Sequence, residues 1–153
     1  MLLSKSCVYG IRALIYLALD DNRPYISIKE LSNNLDISFH FLTKTLQILT
    51  HNNIVASAKG TKGGVALNRL PEKINVYDIV LAIDGIAVFE ECVLGLPGCS
   101  DDNPCPLHSI WRITKEELRE QLKSSNLKLL SKDLRTGKIR LTDVPNVIIT
   151  KNK

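Results

Sequence analysis

Three of the four cysteines of this chain lie in one short segment that ends in a histidine. Cys92, Cys99, Cys105 and His108 follow the spacing C-x6-C-x5-C-x2-H, while Cys7 stands apart near the N-terminus. Thiolate sulfur and imidazole nitrogen are metal ligands, and four of them complete a coordination site. In a reducing compartment, a tight group of cysteines is more often a metal site than a disulfide framework. The spacing therefore predicts that these four side chains bind a metal ion or a metal cluster.

The spacing leaves the kind of metal open. Structural zinc sites favour cysteine pairs with roughly two to four intervening residues, so the longer gaps are more compatible with an iron–sulfur cluster. A regulatory disulfide is an alternative, and His108 could be a surface residue at the start of a helix. A catalytic thiolate is disfavoured, because no Lys or Arg between Val76 and Ile110 could lower its pKa. Inert buried thiols do not suit this glycine-rich, acidic segment, whereas Cys7 is predicted to be a core residue.

Charge is distributed unevenly along the 153 residues, although the net charge is only +4. Residues 76–110 carry acidic side chains and neither Lys nor Arg. Residues 37–71 are the reverse, because these 35 positions contain no Asp or Glu but four basic side chains. A stretch with that balance can face a polyanion such as nucleic acid.

The composition is that of an ordinary folded domain, with 44% hydrophobic and 24% charged residues. The longest apolar run, around residues 11–19, is interrupted by Arg12. Neither a membrane span nor a secretory signal is therefore expected. We expect a cytoplasmic protein without a membrane partner.

Capping residues and helical periodicity predict a helix-turn-helix in the first third of the chain. A first helix begins after Ser4. Ser27 and Glu30 form a capping box, in which the hydroxyl and the carboxylate each satisfy a free amide of a short second helix. A tight turn at residues 36–37 leads to a third helix that Ser38 caps. The buried stripe of that helix is predicted to consist of Leu42, Leu46 and Leu49.

The exposed face of the third helix and the hairpin that follows carry groups that bind DNA. Two predicted strands, over residues 54–58 and 65–67, flank a glycine-rich tip, and a hairpin in this place is the arrangement of a winged helix. Polar groups at the start of a recognition helix bond bases or phosphates, and lysines at the tip bind phosphates. A solvated polar face is the alternative, which the absence of carboxylates disfavours. The predicted DNA-binding residues are Ser38, His40, Thr43, Lys44 and Gln47 on the helix and Lys59, Gly60, Lys62 and Gly63 on the hairpin.

The C-terminal half is predicted to be helical on both sides of the cysteine segment. A fourth helix is expected over about residues 75–85, and residues 86–105 show no period. A long helix over about residues 106–122 is expected to begin at its proline, with one apolar face. A short helical turn is predicted over residues 131–135, before a loose tail.

Four segments of the chain match one known protein family. They are Tyr9-Gly10-Ile11-Arg12-Ala13-Leu14, Ile37-Ser38 with Phe41-Leu42, Ala58-Lys59-Gly60 through Gly63-Gly64, and the cysteine segment with His108 and Trp111. Together they resemble the Rrf2-type bacterial transcription regulators, which include the iron–sulfur cluster regulator and nitric-oxide-sensing repressors. The resemblance extends over nearly the whole chain. It departs from the family at Lys59, where arginine is usual, and at Val65, where an aromatic residue is common.

The resemblance implies an α+β, mainly α fold, a winged helix-turn-helix with a long C-terminal dimerisation helix. It implies a homodimer that binds double-stranded promoter DNA, with repression as the expected direction of control. The DNA-binding domain is expected over residues 1–85, the cluster-binding loop over 86–106, the dimerisation region over 107–141 and a flexible tail over 142–153.

The resemblance also implies a [2Fe-2S] cluster as the cofactor, with zinc as the alternative. Cysteines that match Cys92, Cys99 and Cys105 hold the cluster in sensing members, and a histidine that matches His108 completes it in some. Where some nitric-oxide sensors carry a ligating aspartate, this chain has Val8, which favours His108 as the fourth ligand. The state of the cluster is then expected to alter DNA binding, while the signal itself stays open.

Other classes of function lack support in the sequence. The chain has no Rossmann glycine fingerprint, nucleophile elbow or paired catalytic carboxylates, so neither an enzyme nor a small-molecule substrate is expected. A zinc-stabilised or cluster-independent DNA-binding regulator is the main alternative. A small electron-transfer protein is the other.

Overall fold

The computed structural model describes residues 2–137 and 139–143 of the chain. Within them, helices predominate and a single hairpin supplies the β-structure. The elements are α1 (Lys5–Leu19), α2 (Ile28–Leu35), α3 (Phe39–His51), β1 (Val55–Ala58), β2 (Gly64–Leu67), a 3-10 helix (Pro71–Lys73), α4 (Val76–Ile83), α5 (Ala87–Glu90), α6 (His108–Ser124) and α7 (Leu127–Arg135). The predicted mainly helical α+β class is confirmed.

Side chains at the helix starts explain why the first helices begin where they do. The Ser4 hydroxyl accepts a hydrogen bond from the amide of Cys7 at 3.0 Å, and the Ser27 hydroxyl accepts one from the amide of Glu30 at 3.1 Å. The second half of the predicted capping box is wrong, because the Glu30 carboxylate binds the Arg23 guanidinium at 2.7 and 2.8 Å instead. A bidentate pair with arginine is stronger than one bond to a backbone amide.

The helix-turn-helix packs on α1 through apolar side chains. Asp36 adopts a left-handed conformation with φ of 52° and ends α2, which forms the predicted turn into α3. Ser38 stands at the start of α3 but makes no capping bond, so that predicted cap is wrong. The predicted stripe of Leu42, Leu46 and Leu49 is buried in the core with α1. This burial leaves the opposite face of α3 free for other contacts.

The hairpin is held to the rest of the chain by a third segment. β1 and β2 pair antiparallel from Val55 opposite Leu67 to Ala58 opposite Gly64, within one residue of the predicted strands. Val65 also exchanges backbone bonds of 2.9 and 2.8 Å with Ile26. This bridge ties β2 to the segment that leads into α2.

The C-terminal half departs from the predicted elements in three places. The short helix α5 lies in the region where no periodicity was found. The long helix begins at His108 rather than at the proline, because the preceding residues form a turn in which the His108 amide donates to the Cys105 carbonyl at 3.0 Å. The last helix starts at Leu127, before the predicted range, because the Asn126 side chain accepts from the amide of Leu129 at 3.0 Å.

The two ends of the described chain meet on α1. Arg135 of α7 donates to the carbonyl of Leu19 at 3.1 Å and pairs with Asp21 at 2.7 Å. Arg12 donates to the carbonyl of Leu141 at 3.0 Å. Thr142 is buried, against the expectation of a loose chain there, and residues 144–153 of the predicted flexible tail lie outside the described residues. No helix in the described part of the chain combines the length and the apolar character that a bilayer span requires.

We predict that Gly64→Ala destabilises the fold and displaces the hairpin. Gly64 has φ of 150°, and a Cβ there would lie 2.2 Å from the carbonyl oxygen of Ile26. The backbone strain and the clash together should lower the free energy of unfolding by about 3 kcal/mol or more, measured by urea denaturation. Gly85→Ala is the control, because Gly85 has φ of 77° with open space around it. That variant should lose only about 1–2 kcal/mol, and equal losses would contradict the close approach to Ile26.

Candidate metal centre and nucleic-acid interface

Three cysteine sulfurs and a histidine ring meet between the end of α5 and the start of α6. The Sγ atoms of Cys92, Cys99 and Cys105 lie within 4.8 Å of one another, and the three side chains are half-buried. Cys92 Sγ lies 3.6 Å from Cys105 Sγ, and Cys99 Sγ lies 3.2 Å from Nδ1 of His108. The four predicted ligands are therefore neighbours, arranged as two close pairs of donor atoms.

Turns carry the cysteines between α5 and α6. The amide of Gly95 donates to the carbonyl of Cys92 at 2.9 Å, and Gly95 has φ of 67°, which glycine adopts without strain. Further along, Ser100 and Asn103 exchange backbone bonds of 3.3 and 3.1 Å. Because each turn reverses the chain, thiols that are distant in sequence come within a few ångströms of each other.

One face of α6 fastens the chain immediately before Cys92. The indole Nε1 of Trp111 donates to the carbonyl of Glu91 at 3.0 Å. Nζ of Lys115 donates to the carbonyls of Glu90 and Glu91 at 3.0 and 3.2 Å. Carbonyls at the end of a helix lack partners within it, and a cation there is favourable. The chain at the first predicted ligand, Cys92, is thus tied to the helix that begins with the fourth, His108.

The same face of α6 continues toward α4. The Arg119 guanidinium lies 5.7 Å from the ring centroid of buried Phe89, and Nζ of Lys123 lies 5.3 Å from that of Tyr77. The rings of Phe89 and Tyr77 are 4.9 Å apart. Trp111, Lys115, Arg119 and Lys123 therefore form a stripe with a four-residue period, which we call the α6 stripe. It joins α4, α5 and the cysteine loop.

Hydrogen bonds engage both nitrogens of the His108 ring. Nδ1 faces Cys99, while Nε2 lies 2.9 Å from Oδ1 of Asp101. The same oxygen lies 3.8 Å from Nε of Arg112. The His108 hydrogen bond, with the Arg112 charge, lowers the pKa of Asp101. Asp101 is therefore the ionised partner of the ring.

The thiols of this chain differ in acidity. Backbone amides of Leu96 and Leu94 donate to the Cys92 sulfur and, with the neighbouring thiols, lower the pKa of Cys92 to about 7. Burial, followed by the nearby Asp84 carboxylate, raises the pKa of Cys7 to about 12. Cys7 is fully buried, as predicted for a core residue. The argument that no Lys or Arg in this segment could lower a thiol pKa did not consider the backbone amides, which have no signature in the sequence.

The donor set suits either of the predicted cofactors. Two thiolates on one tetrahedral ion stand about 3.8 Å apart, which is close to the separation of the Cys92 and Cys105 sulfurs. A [2Fe-2S] cluster takes two protein ligands on each iron, and thiolate with imidazole is an accepted combination. The two close pairs provide that number. The chemistry of the residues present therefore fits a metal centre.

Most predicted DNA-binding side chains are exposed. On α3, Ser38, His40, Lys44 and Gln47 are open to solvent. Thr43 is half-buried and its hydroxyl donates to the carbonyl of Phe39 at 2.7 Å, so it offers less than predicted.

At the hairpin tip, Lys59, Gly60 and Lys62 are exposed. Gly63 is half-buried, and its amide donates to the Gly60 carbonyl at 3.0 Å to close the tip. A Cβ on Gly63 would lie 2.3 Å from the Ala58 carbonyl oxygen. Gly63 is thus required by the turn itself.

Comparison with known proteins identifies the family. Residues 3–133 match the family model Rrf2, described as an iron-dependent transcriptional regulator. The chain belongs to the Rrf2 family. A candidate HTH-type transcriptional regulator of Aquifex aeolicus is 32% identical over 130 residues, which cover 84% of this chain and 90% of that protein. This agrees, at the level of the family, with the expectation of a regulator rather than an enzyme.

Solved structures share the fold of this Rrf2 regulator. IscR of T. potens superimposes with a TM-score of 0.71 at 25% identity, covering 90% of this chain and 91% of that one. CymR, described as the global cysteine regulator of B. subtilis, superimposes with a TM-score of 0.72 at 24% identity, covering 86% and 96%. The predicted winged helix-turn-helix architecture is confirmed.

Sequence reasoning missed several residues that build this region. Asp101 stands in an irregular loop, where spacing predicts no contact with a histidine seven positions later. The partners of Lys115 and Arg119 are backbone carbonyls and a ring, which leave no motif. Their four-residue spacing from Trp111 was nevertheless a signal, because such residues share one helix face.

We predict that Cys92 is the most reactive thiol of the metal-free Rrf2 regulator. Its pKa of about 7 leaves a large fraction as thiolate at neutral pH, and the fraction rises with pH through that value. Iodoacetamide labelling followed by peptide mass spectrometry should modify Cys92 first, with a rate that is half-maximal near its pKa. Cys7 should react only in urea, since it is buried. Labelling of Cys99 before Cys92 would contradict the assignment.

Proposed function

We propose that this Rrf2 regulator is a cytoplasmic homodimer that represses transcription and whose promoter binding depends on a [2Fe-2S] cluster. The observation that carries the proposal is the convergence of three thiols and an imidazole beside α6. The family, described as iron-dependent transcriptional regulators, supports it. IscR among the solved structures supports it as well.

Cys92, Cys99, Cys105 and His108 are the proposed ligands. When bound, the cluster supplies a redox-active and chemically labile centre whose state an oxidant or a reactive gas can change. Cys92 and Cys105 offer one pair of donors, and Cys99 and His108 offer the other. Holding all four restrains the loop between α5 and α6, and releasing them restores its conformational entropy.

The proposed route from the ligands toward DNA begins at α5. Cys92 directly follows Glu91, whose carbonyl Trp111 and Lys115 hold. A displacement of Cys92 therefore pulls on the end of α5. Phe89 of α5 is buried against α4, so the displacement bears on that helix as well.

The route continues from α4 into the recognition helix α3. The two helices are in contact, and both approach α1 closely at Gly10. A Cβ on Gly10 would lie 2.6 Å from the Ile83 side chain of α4 and 3.3 Å from Thr45 of α3. Tightly packed elements transmit displacements, because they have little room to deform. A shift of α4 would therefore alter the position of α3.

The proposed DNA interface consists of α3 and the hairpin tip. The exposed Lys44 and Gln47 suit contacts in the major groove, and Lys59 and Lys62 suit phosphates. Residues 37–71 present no carboxylate that would repel the DNA backbone. These features support double-stranded DNA as the partner.

A second copy of the chain is the proposed partner of α6. This helix spans 17 residues, and none of them is fully buried. Ile110 and Ile113 are 67% and 56% exposed, next to Leu107 at 40%. Apolar side chains exposed together along a helix are typical of an interface. A symmetric pair of α6 helices would cover them and set two copies of α3 on neighbouring half-sites.

We predict that Cys99→Ala abolishes the cluster and that Cys7→Ala does not. Both changes remove one thiol, but only Cys99 belongs to the ligand group. After anaerobic purification, the wild type and Cys7→Ala should be coloured and hold about two iron and two sulfide per chain, while Cys99→Ala should hold neither. The affinity for promoter fragments selected by the wild type should change in Cys99→Ala alone. Colourless wild-type protein with zinc, or an affinity that is the same with and without the cluster, would refute the proposal.

We predict that Lys59→Ala and Lys62→Ala each reduce the salt dependence of DNA binding. Each lost phosphate contact should flatten the plot of log affinity against log salt by about one unit, and should weaken binding similarly for every DNA sequence. Fluorescence anisotropy at several salt concentrations measures both. Lys132→Ala is the matched control, since Lys132 is exposed on α7, which is not part of the proposed interface. If Lys132→Ala changes the slope and the other two variants do not, the DNA interface lies elsewhere.

A further inference from the structure

The His108 ring is held from the side opposite the cysteines. Nδ1 faces the Cys99 sulfur at 3.2 Å, and Nε2 lies 2.9 Å from Oδ1 of Asp101. A carboxylate accepts hydrogen bonds and does not donate them, so the ring must place its N–H on Nε2. In the neutral ring, Nδ1 then presents its lone pair toward the cysteines. The hydrogen bond selects which nitrogen can serve as a ligand.

We propose that Asp101 is a positioning residue, which fixes the ring of His108 so that Nδ1 is the fourth cluster ligand. This inference rests on the proposed function, because it takes His108 to be a ligand. Asp101 itself touches no sulfur of the group in the described structure. Asp101 would influence the cofactor only by orienting the His108 ring.

The backbone around Asp101 is fixed locally. Ser100 and Asn103 exchange two backbone bonds across a turn, and the Ser100 hydroxyl accepts a third from the Asn103 amide at 3.2 Å. Asp101 lies inside that turn, which directs its side chain at the first turn of α6. The position of the carboxylate therefore does not rely on the bond to His108 alone.

Arg112 of α6 forms an ion pair with the Asp101 carboxylate. It follows His108 by one helical turn, and its Nε lies 3.8 Å from the oxygen that binds the ring. Residues four apart on a helix are neighbours, so Arg112 and His108 reach the same side chain. The Asp101 side chain is 78% exposed, and an isolated hydrogen bond there would compete with water. The second contact favours one arrangement of the carboxylate.

The neighbouring carboxylate supplies a matched control. Asp102 follows in the same turn and carries the same charge, yet no hydrogen bond or ion pair engages it within residues 2–137 and 139–143. Substitution of either residue changes the net charge of the loop equally. A difference between Asp101→Ala and Asp102→Ala therefore reports the contact with His108 and not the loss of charge.

The first measurement is the rate at which the anaerobically reconstituted full chain loses iron to an excess of a ferrous chelator. Loss of a carboxylate behind a ligating histidine typically weakens metal binding by about 10- to 100-fold. We expect Asp101→Ala to release iron faster by at least about 10-fold and Asp102→Ala to match the wild type. Asp101→Asn should restore most of the retention, since its amide oxygen still accepts from Nε2. Equal rates in Asp101→Ala and Asp102→Ala would overturn the inference.

The second measurement needs no cluster. Ring ¹⁵N chemical shifts of His108 in the metal-free protein at mildly alkaline pH should show the Nε2–H tautomer in the wild type, Asp102→Ala and Asp101→Asn, and a mixture in Asp101→Ala. A mixture in the wild type would refute the role of Asp101 whether or not iron binds. If the wild type takes up no iron and sulfide, the proposed function is refuted instead. The ring chemical shifts would still test the contact between Asp101 and His108.

Discussion

The cysteine loop is closed at both ends on one helix, and the candidate metal centre depends on this closure. The loop starts after Glu91, whose carbonyl is bound by Trp111 and Lys115 of α6, and it ends at His108, the first residue of α6. Bringing the ends of a flexible segment together costs conformational entropy. The contacts at Glu91 offset this cost before any metal binds. The turns inside the loop then need to place only three sulfurs against one ring. A proposed centre of this kind is linked to α5 and to α6, because Cys92 follows the Glu91 carbonyl that α6 binds and His108 begins α6.

The loop, α6 and the DNA-binding surface also differ in how their charged groups are paired. Residues 76–110 include neither Lys nor Arg, so the partners of Asp101 are His108 at the end of the loop and Arg112 of α6. Among the cations of the α6 stripe, Lys115 donates to backbone oxygens, while Arg119 and Lys123 lie over aromatic rings and also pair with Glu116 and Glu120 of the same helix. The thiols are left to the backbone amides of Leu94 and Leu96, which favour a thiolate at Cys92. The hairpin and α3 carry Lys44, Lys59 and Lys62 and no carboxylate, so this surface can face a polyanion. One chain thus carries an anionic loop and a cationic face joined by α4 and α5.

The sequence predicted the elements whose causes are local. Serine caps, an apolar period and a glycine-rich tip act within a few residues, and the helix-turn-helix and hairpin lie within a residue or two of the expected bounds. The errors lie where an irregular segment decides the contact. Glu30 binds Arg23, which lies seven residues earlier in the loop before α2, and α6 starts at His108 because the chain turns at Cys105 first. Spacing predicted four ligands that the fold brings together, yet nothing in the sequence pattern linked Asp101 to His108 or Lys115 to Glu91. Those pairs exist only because α6 closes the loop.

Regulators with different descriptions share this fold, so the function of this chain depends on a few side chains. CymR and IscR superimpose on this chain equally well, although one is described as a cysteine regulator and the family as iron-dependent. A likeness of that kind fixes where the recognition helix and the long helix lie, but says nothing about what the loop before α6 holds. That loop is outside the buried core, so its residues can change with little effect on folding. In this chain it carries three thiols, an imidazole and a carboxylate behind that imidazole. Because these donor atoms converge in one loop outside the core, their chemistry is the strongest argument for the proposed metal centre.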